Sequence, residues 1–356
     1  MKQQGRAKKI AVIMLCVLIA LPIVSMPVAT VVIYESIFGF RYETPDWQSF
    51  SPEEFEGLQM KRMDFYADNG ERLAGYLYTC QAQDYKGMLI FAHGMGGGGQ
   101  NGYMPILHYF ASNGYCVFAY DARGNDNSEG TSVEGLPRGV MDLDAAITHV
   151  KSLEAYGDLP IVLMGHSWGA YSVGSVLSLH PEIKAAVLMA GFNESENLLY
   201  HQSSHILGPV VDILIPPVYW YEQLKFGAHY TDLTAIDGMA ATDARIMIVH
   251  SADDATVPTE YGYDLFFEAY GGDDRFSFVL YEDRGHGYLF CSEDALAYQQ
   301  EMEEAYSVYV SEHGGKDTET LESEFMTQYL DKIRYFALDL TLMAQILEMY
   351  DLACAG

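Results

Sequence analysis

From about residue 60 onward, short runs of apolar, β-prone residues alternate with stretches whose apolar positions recur every three or four residues. Arg72–Cys80, after the Asp68-Asn69-Gly70 turn, reads as a strand. Gly87–Ala92, Tyr115–Tyr120, Pro160–Met164, Ala185–Met189, Arg245–His250 and Phe276–Tyr281 are almost continuously apolar, the mark of strands buried on both faces. Between them, 101–113, 137–155, 168–180 and 258–270 keep helical spacing. This alternation predicts an α/β domain, a mostly parallel sheet of about eight strands with helices on both faces. Residues 195–243 carry no clear strand but hold Pro209, Pro216, Pro217 and the cluster Tyr219-Trp220-Tyr221. An insertion of that size between two strands is more often functional than idle.

The two ends break the pattern. Ile10–Tyr34 has no charged side chain and follows Lys2, Arg6, Lys8 and Lys9. As a helix it would span roughly 37 Å, enough for a bilayer core of ~30 Å, and Pro22 and Pro27 are tolerable in such a span. The basic flank would keep the N-terminus cytoplasmic. The expectation is a single-pass membrane anchor over 1–34, a juxtamembrane segment over 35–58 and an extracytoplasmic domain. A cleaved signal peptide is the alternative, which would make the domain secreted. At the other end, 292–356 is strongly acidic, and Leu321, Phe325, Tyr329, Ile333, Phe336, Leu340, Met343, Leu347 and Tyr350 keep helical spacing. That stripe predicts a helical extension packed back on a core at 59–291.

Composition narrows the function. A net charge of −29 repels phosphates and argues against nucleic-acid binding. Five scattered cysteines are too few for a disulfide framework or a zinc knuckle. His201 and His205 have helical metal spacing but no third ligand in view, so no metal is expected.

The chemistry concentrates in Ile161–Gly169, where a buried strand runs into Gly165-His166-Ser167-Trp168-Gly169. Small residues two before and two after the serine suit a sharp strand-to-helix turn that pushes Oγ outward, at a helix N-terminus that favours developing negative charge. A serine needs a base, and in this architecture acid and base follow at later strand ends. After Arg245–His250 come Asp253 and Asp254, both candidates for the acid; after Phe276–Tyr281 comes His286, the candidate base. The loop His93-Gly94-Met95-Gly96 supplies one oxyanion donor at the N–H of Met95, and Trp168 supplies the other. His93 and His166 are expected as buried hydrogen-bonding residues, and Asp121 and Arg123 as a loop-bracing ion pair.

These residues, with HGMG at 93–96, DARGNDNSEG at 121–130, GHSWG at 165–169, DATVP at 254–258 and GHG at 285–287, resemble the α/β-hydrolase superfamily, and most its monoacylglycerol-lipase-like and serine-aminopeptidase-like branch. The resemblance runs over roughly residues 60–290. It implies that the acid is Asp254, which stands in the family's Asp-x-x-Val-Pro context, and that 195–243 is the variable lid, where Tyr219 and Tyr221 are candidates to line an acyl pocket. The expected function is a cofactor-independent serine hydrolase acting on a carboxylic ester, with lipid esters included. A peptidase or aminopeptidase-like hydrolase, and a non-catalytic exported scaffold, are the alternatives.

Overall fold

A computed structural model describes the backbone of residues 2–80 and 84–355; the side chains at 2–5, 7, 8, 15, 17, 19, 20, 22–24, 205–207, 209 and 214 lie outside the described set. The strands are β1 (Leu58–Arg62), β2 (Phe65–Tyr66), β3 (Arg72–Leu73), β4 (Gly75–Cys80), β5 (Met88–Ala92), β6 (Cys116–Tyr120), β7 (Ile161–His166), β8 (Ala185–Met189), β9 (Arg245–Ser251) and β10 (Phe276–Tyr281). Eight form one sheet in the order β1-β4-β6-β5-β7-β8-β9-β10, while β2 and β3 make a small ribbon of their own. β1, β4 and β6 pair antiparallel. Every pairing from β6 across to β10 is parallel.

Burial explains this arrangement. β5, β6, β7 and β8 are buried at every residue, because helices cover both faces. Successive residues point to opposite sides, so Met88 and Ile90 enter one core while Leu89 and Phe91 enter the other. The first core packs under helices Leu136–Lys151 and Trp168–Val176 through Val140, Ile147 and Val173. The second packs under Met104–Ser112 and the C-terminal extension, through Phe110, Met343, Ile346 and Tyr350. β1 buries only Leu58 and leaves its other four residues exposed, so it carries no apolar run for pattern reading to find.

The insertion folds as helices Ser195–Leu207, Val211–Phe226, Ala228–Thr231 and Ala235–Ala240. The C-terminal extension is four helices, Glu293–Glu312, Glu319–Tyr329, Lys332–Tyr335 and Leu340–Ala355. Its apolar stripe does not stay on one face. Phe325, Phe336, Met343 and Tyr350 are buried, while Tyr329, Ile333 and Leu340 are more than half exposed. The chain leaves the helical conformation at Leu330, and Asp331 and Asp339 cap new helices with a new phase.

The N-terminal reading needs correction. One helix runs from Lys2 to Phe38. Among the described residues no helix is long and apolar enough to cross a membrane, so the expected anchor has no support here; part of its apolar run lies outside the described side chains. Packing on the domain also starts earlier than the expected core at 59–291. Thr30, Tyr34 and Phe38 are buried. The Tyr34 hydroxyl donates to Glu222 (2.7 Å), Tyr221 donates to Glu35 (2.6 Å), and Lys225 pairs with Glu35, all joining the helix to Val211–Phe226. Burial at every turn of its last three turns makes that end of the helix part of the insertion's own packing.

The Tyr350 hydroxyl donates to the main-chain carbonyl of Leu163 inside β7 (2.7 Å). Tyr350→Phe should cost about 1–2 kcal/mol and Tyr350→Ala about 3–5 kcal/mol in urea denaturation. An unchanged midpoint for the alanine variant would show that the extension is not integral to the domain.

Candidate active site

β7 runs directly into Ser167, whose backbone lies at φ 55°, ψ −117° before the helix Trp168–Val176 begins. That conformation costs a non-glycine residue on the order of 1–3 kcal/mol and persists only where its surroundings impose it. Here they do. Ser167 N–H donates to the Met189 carbonyl of β8 (2.8 Å). A Cβ on Gly165 would stand 2.3 Å from the Gly169 carbonyl oxygen, and one on Gly169 would stand 2.1 Å from that of Ala92. Both glycines are therefore demanded by main-chain contact.

The turn leaves the Ser167 hydroxyl uncommitted to capping its helix. It meets the imidazole of His286, with Oγ 2.8 Å from Nε2. On the other side of the ring, Nδ1–H donates to Asp254 Oδ2 at 2.8 Å. Asp254 follows β9 and its side chain is fully buried. Its Oδ1 accepts the N–H groups of Thr256 and Val257, each at 2.9 Å. Burial alone would raise its pKa, but hydrogen bonds from His250 and His286 hold the carboxyl far below the usual carboxylate range. Asp253, the other candidate, accepts from Ser251 Oγ (2.6 Å) and from Gly285 N–H (2.9 Å). It braces the turn ahead of His286, and of the two aspartates it is Asp254 that meets the ring.

Met95 and Trp168 flank this group. Met95 lines the same pocket as Ser167. Trp168 is the first residue of the helix, and its buried indole N–H donates to the Leu136 carbonyl (2.8 Å), so this bulky side chain occupies the core rather than the site. The glycine run continues the loop. A Cβ on Gly98 would lie 2.2 Å from the Thr44 nitrogen and one on Gly99 would lie 2.1 Å from Asp121 Oδ1. Without side chains there, the segment around Thr44 lies against the loop, tied by Gly99 N–H to Asp126 (3.0 Å) and Thr44 Oγ1 to Asp126 (2.6 Å).

The pocket over Ser167 holds about 210 Å³, with Gln48, Met95, Tyr103, Tyr288, Phe290 and Phe336 among its walls. Among its described lining residues there is no Asp, Glu, Lys or Arg. Tyr219 and Tyr221, read from the sequence as pocket candidates, are not part of the lining. Tyr219 donates to Asp232 (3.1 Å) within the insertion, and Tyr221 donates to Glu35 of the N-terminal helix, so both brace helix packing instead. Gln48 and Phe336 stand far from Ser167 in the chain and carry no motif, so nothing local in the sequence marks them.

One smaller expectation also changes. Asp121 and Arg123 do not pair. Asp121 accepts Gln100 N–H (3.1 Å) and Asn127 N–H (3.2 Å), while Arg123 bonds Glu71 (2.9 Å) and Glu134 (3.3 Å). The chain leaves β6 at Tyr120, so no strand spacing holds the two side chains on one face, and each takes a different partner. Among the described residues no His, Cys, Asp or Glu group is arranged to hold a metal; the side chain of His205 lies outside that set.

With this geometry in view, a family profile described as "Serine aminopeptidase, S33" matches residues 83–249, from just before β5 into β9. The chain has the α/β-hydrolase fold. The match includes the turn at Ser167 and ends before Asp254 and His286. Among curated proteins, this chain is similar to the quorum-quenching protein AidA of Acinetobacter baumannii, at 23% identity over 42% of this chain and 48% of that one. It is also similar to caffeoylshikimate esterase of Arabidopsis thaliana, at 29% identity over 35% of this chain and 38% of that one. The alignments thus span about half or less of these relatives. Among solved structures it resembles an esterase from Pyrococcus furiosus (TM-score 0.53, 14% identity, 79% of this chain and 96% of that one). It also resembles an acylaminoacyl peptidase from Pyrococcus horikoshii (TM-score 0.50, 19% identity, 66% of this chain and 38% of that one).

Strain at the turn has a measurable consequence. Glycine accepts φ 55°, ψ −117° and alanine does not, so Ser167→Gly should be more stable than Ser167→Ala, by about 1 kcal/mol after glycine's greater chain entropy is counted. Equal urea midpoints for the two variants would show that the turn is unstrained.

Proposed function

We propose that the protein hydrolyses carboxylic esters through an acyl-enzyme on Ser167. The observation that carries this reading is one imidazole, His286, hydrogen-bonded through one nitrogen to the Ser167 hydroxyl and through the other to the buried Asp254. His286 takes the hydroxyl proton as Oγ attacks the ester carbonyl, and Asp254 holds the ring's tautomer and stabilises the imidazolium. The tetrahedral oxyanion sits against the N–H groups of Met95 and Trp168, at a helix N-terminus that favours negative charge. Collapse transfers the proton to the departing alkoxide. A water, deprotonated by His286, then attacks the acyl-enzyme and releases the acid, so serine and histidine end as they began.

The pocket supports a neutral, apolar ester. Four aromatic side chains among its walls suit an acyl or aryl group, and no lining charge is there to hold an ionic one. The names of the Arabidopsis and Pyrococcus furiosus proteins, both esterases, support an ester substrate. The second reading is a peptidase, favoured by the matched profile's description and by the acylaminoacyl peptidase. Capture of a free amino terminus calls for a carboxylate within reach, and the described lining offers none. Export from the cytoplasm is part of the proposal and is supported only by the uncharged Ile10–Tyr34 run behind its basic flank; protection of the domain from protease added to intact cells would argue against it.

A panel of chromogenic esters of increasing acyl length, with aminoacyl amides alongside, tests the chemistry. Ser167→Ala should lower kcat on the best ester by about 10⁴–10⁶, and Asp254→Asn by about 10⁴, with unchanged circular dichroism. A Ser167→Ala enzyme that keeps most of its turnover would sink the assignment. Faster amide than ester turnover would replace esterase with peptidase.

A further inference from the structure

The proposed chemistry leaves unused a chain of hydrogen bonds that runs behind it. His166 stands immediately before Ser167, is 5% exposed, and brings each ring nitrogen within bonding distance of one partner. Its Nε2 lies 2.8 Å from the main-chain carbonyl of His286, and its Nδ1 lies 2.9 Å from the Tyr103 hydroxyl. Tyr103 in turn stands 3.3 Å from the N–H of Gly94, the residue before Met95.

The direction of every bond follows from chemistry. A carbonyl only accepts, so Nε2 of His166 carries the hydrogen. Nδ1 is then bare and accepts from the Tyr103 hydroxyl, whose oxygen is left to accept the Gly94 N–H. The neutral ring this order needs agrees with its setting, since burial and the neighbouring His286 push the His166 imidazole down to about 3. Contact is close as well. A Cβ on Gly94 would come within 3.1 Å of both His166 Nδ1 and the Tyr103 oxygen.

We propose that His166 is a positioning residue that, acting with Tyr103, holds the oxyanion loop at Gly94–Met95 and the base loop at His286 in register about Ser167. The proposal rests on the serine hydrolase reading above. Each of the three loops leaves the sheet at a different strand, β5, β7 and β10, and this relay is a direct bridge among them. It acts on the carbonyl of the same residue whose ring serves as base, and on the residue next to one oxyanion donor. Its loss should therefore slow the chemical step and leave substrate affinity alone.

The test measures kcat and KM for a short ester, and the rate at which a neutral fluorophosphonate modifies Ser167, in the wild type and in Tyr103→Phe, His166→Gln, His166→Phe and the Tyr103→Phe/His166→Phe pair. His166→Phe should lower kcat and the phosphonylation rate by about 10–100-fold with KM within about threefold. Tyr103→Phe, which removes the bonds to Gly94 and to His166 Nδ1 but leaves the one from His166 to the His286 carbonyl, should have a smaller effect of the same kind. Glutamine places an N–H near the former Nε2, so His166→Gln should recover part of the loss. The double variant should be no slower than His166→Phe alone, because Tyr103 acts through the ring. Thermal melts identify any variant that fails to fold, and Tyr103→Phe and His166→Gln, the two gentlest changes, then decide the matter. An active wild type whose Tyr103→Phe and His166→Gln variants match it within twofold overturns the relay alone, as do multiplicative effects in the double variant. A wild type inert to both ester and phosphonate overturns the serine hydrolase reading and the relay with it.

Discussion

The site depends on how closely three stretches of main chain can approach one another at the end of β7. Ser167 holds its hydroxyl toward His286 only because its backbone is forced to φ 55°, and that turn closes only because Gly165 and Gly169 bring no side chain between β5, β7 and the helix that follows. Side-chain chemistry at this point is a consequence of backbone packing. The same constraint recurs at the neighbouring loop, where Gly98 and Gly99 press against Thr44 and Asp121 and let the N-terminal segment become part of the pocket.

Parallel pairing supplies the rest of the geometry. β5, β7, β9 and β10 all point the same way, so the glycine loop, Ser167, Asp254 and His286 are delivered to one edge of the sheet. Charge is divided in a useful manner. The chain carries a net −29, yet the described pocket lining holds no Asp, Glu, Lys or Arg, and Asp254, the carboxylate bonded to His286, is buried behind the ring. A chamber walled by aromatic side chains and glycines keeps the Ser167–His286–Asp254 interactions strong by limiting the dielectric around them. The acidic groups of the surface remain in water, where their effect is screened.

The two segments outside the central alternation have exchanged the roles suggested by their composition. The aromatic-rich insertion is occupied with the N-terminal helix, through Tyr34, Glu222, Tyr221 and Glu35. The acidic C-terminal extension supplies Phe336 to the pocket and anchors Tyr350 to β7. Phe336 is held by stacking against Trp47 and edge contact with Phe50, so both chain ends meet over the site.

What the sequence determined by itself is local. Continuous apolar runs located every parallel strand, because burial on both faces demands them, and glycine spacing located the turn at Ser167, because no other residue fits there. The order of Ser167, Asp254 and His286 at successive strand ends follows from those strands. The N-terminal helix was harder, since an uncharged run reads alike whether lipid or protein faces it, and burial of Thr30, Tyr34 and Phe38 becomes visible only with Val211–Phe226 beside them. Residue spacing left Asp253 and Asp254 open and only the family context favoured Asp254; tertiary structure alone decided which aromatics wall the pocket and where His166 sends its two bonds. Adjacent residues such as Asp253 and Asp254 share one composition and one spacing but face opposite ways. Phe336 reaches the pocket over Ser167 across a distance in the chain that no periodicity spans, because helices restarting at Asp331 and Asp339 reset the direction in which each side chain points.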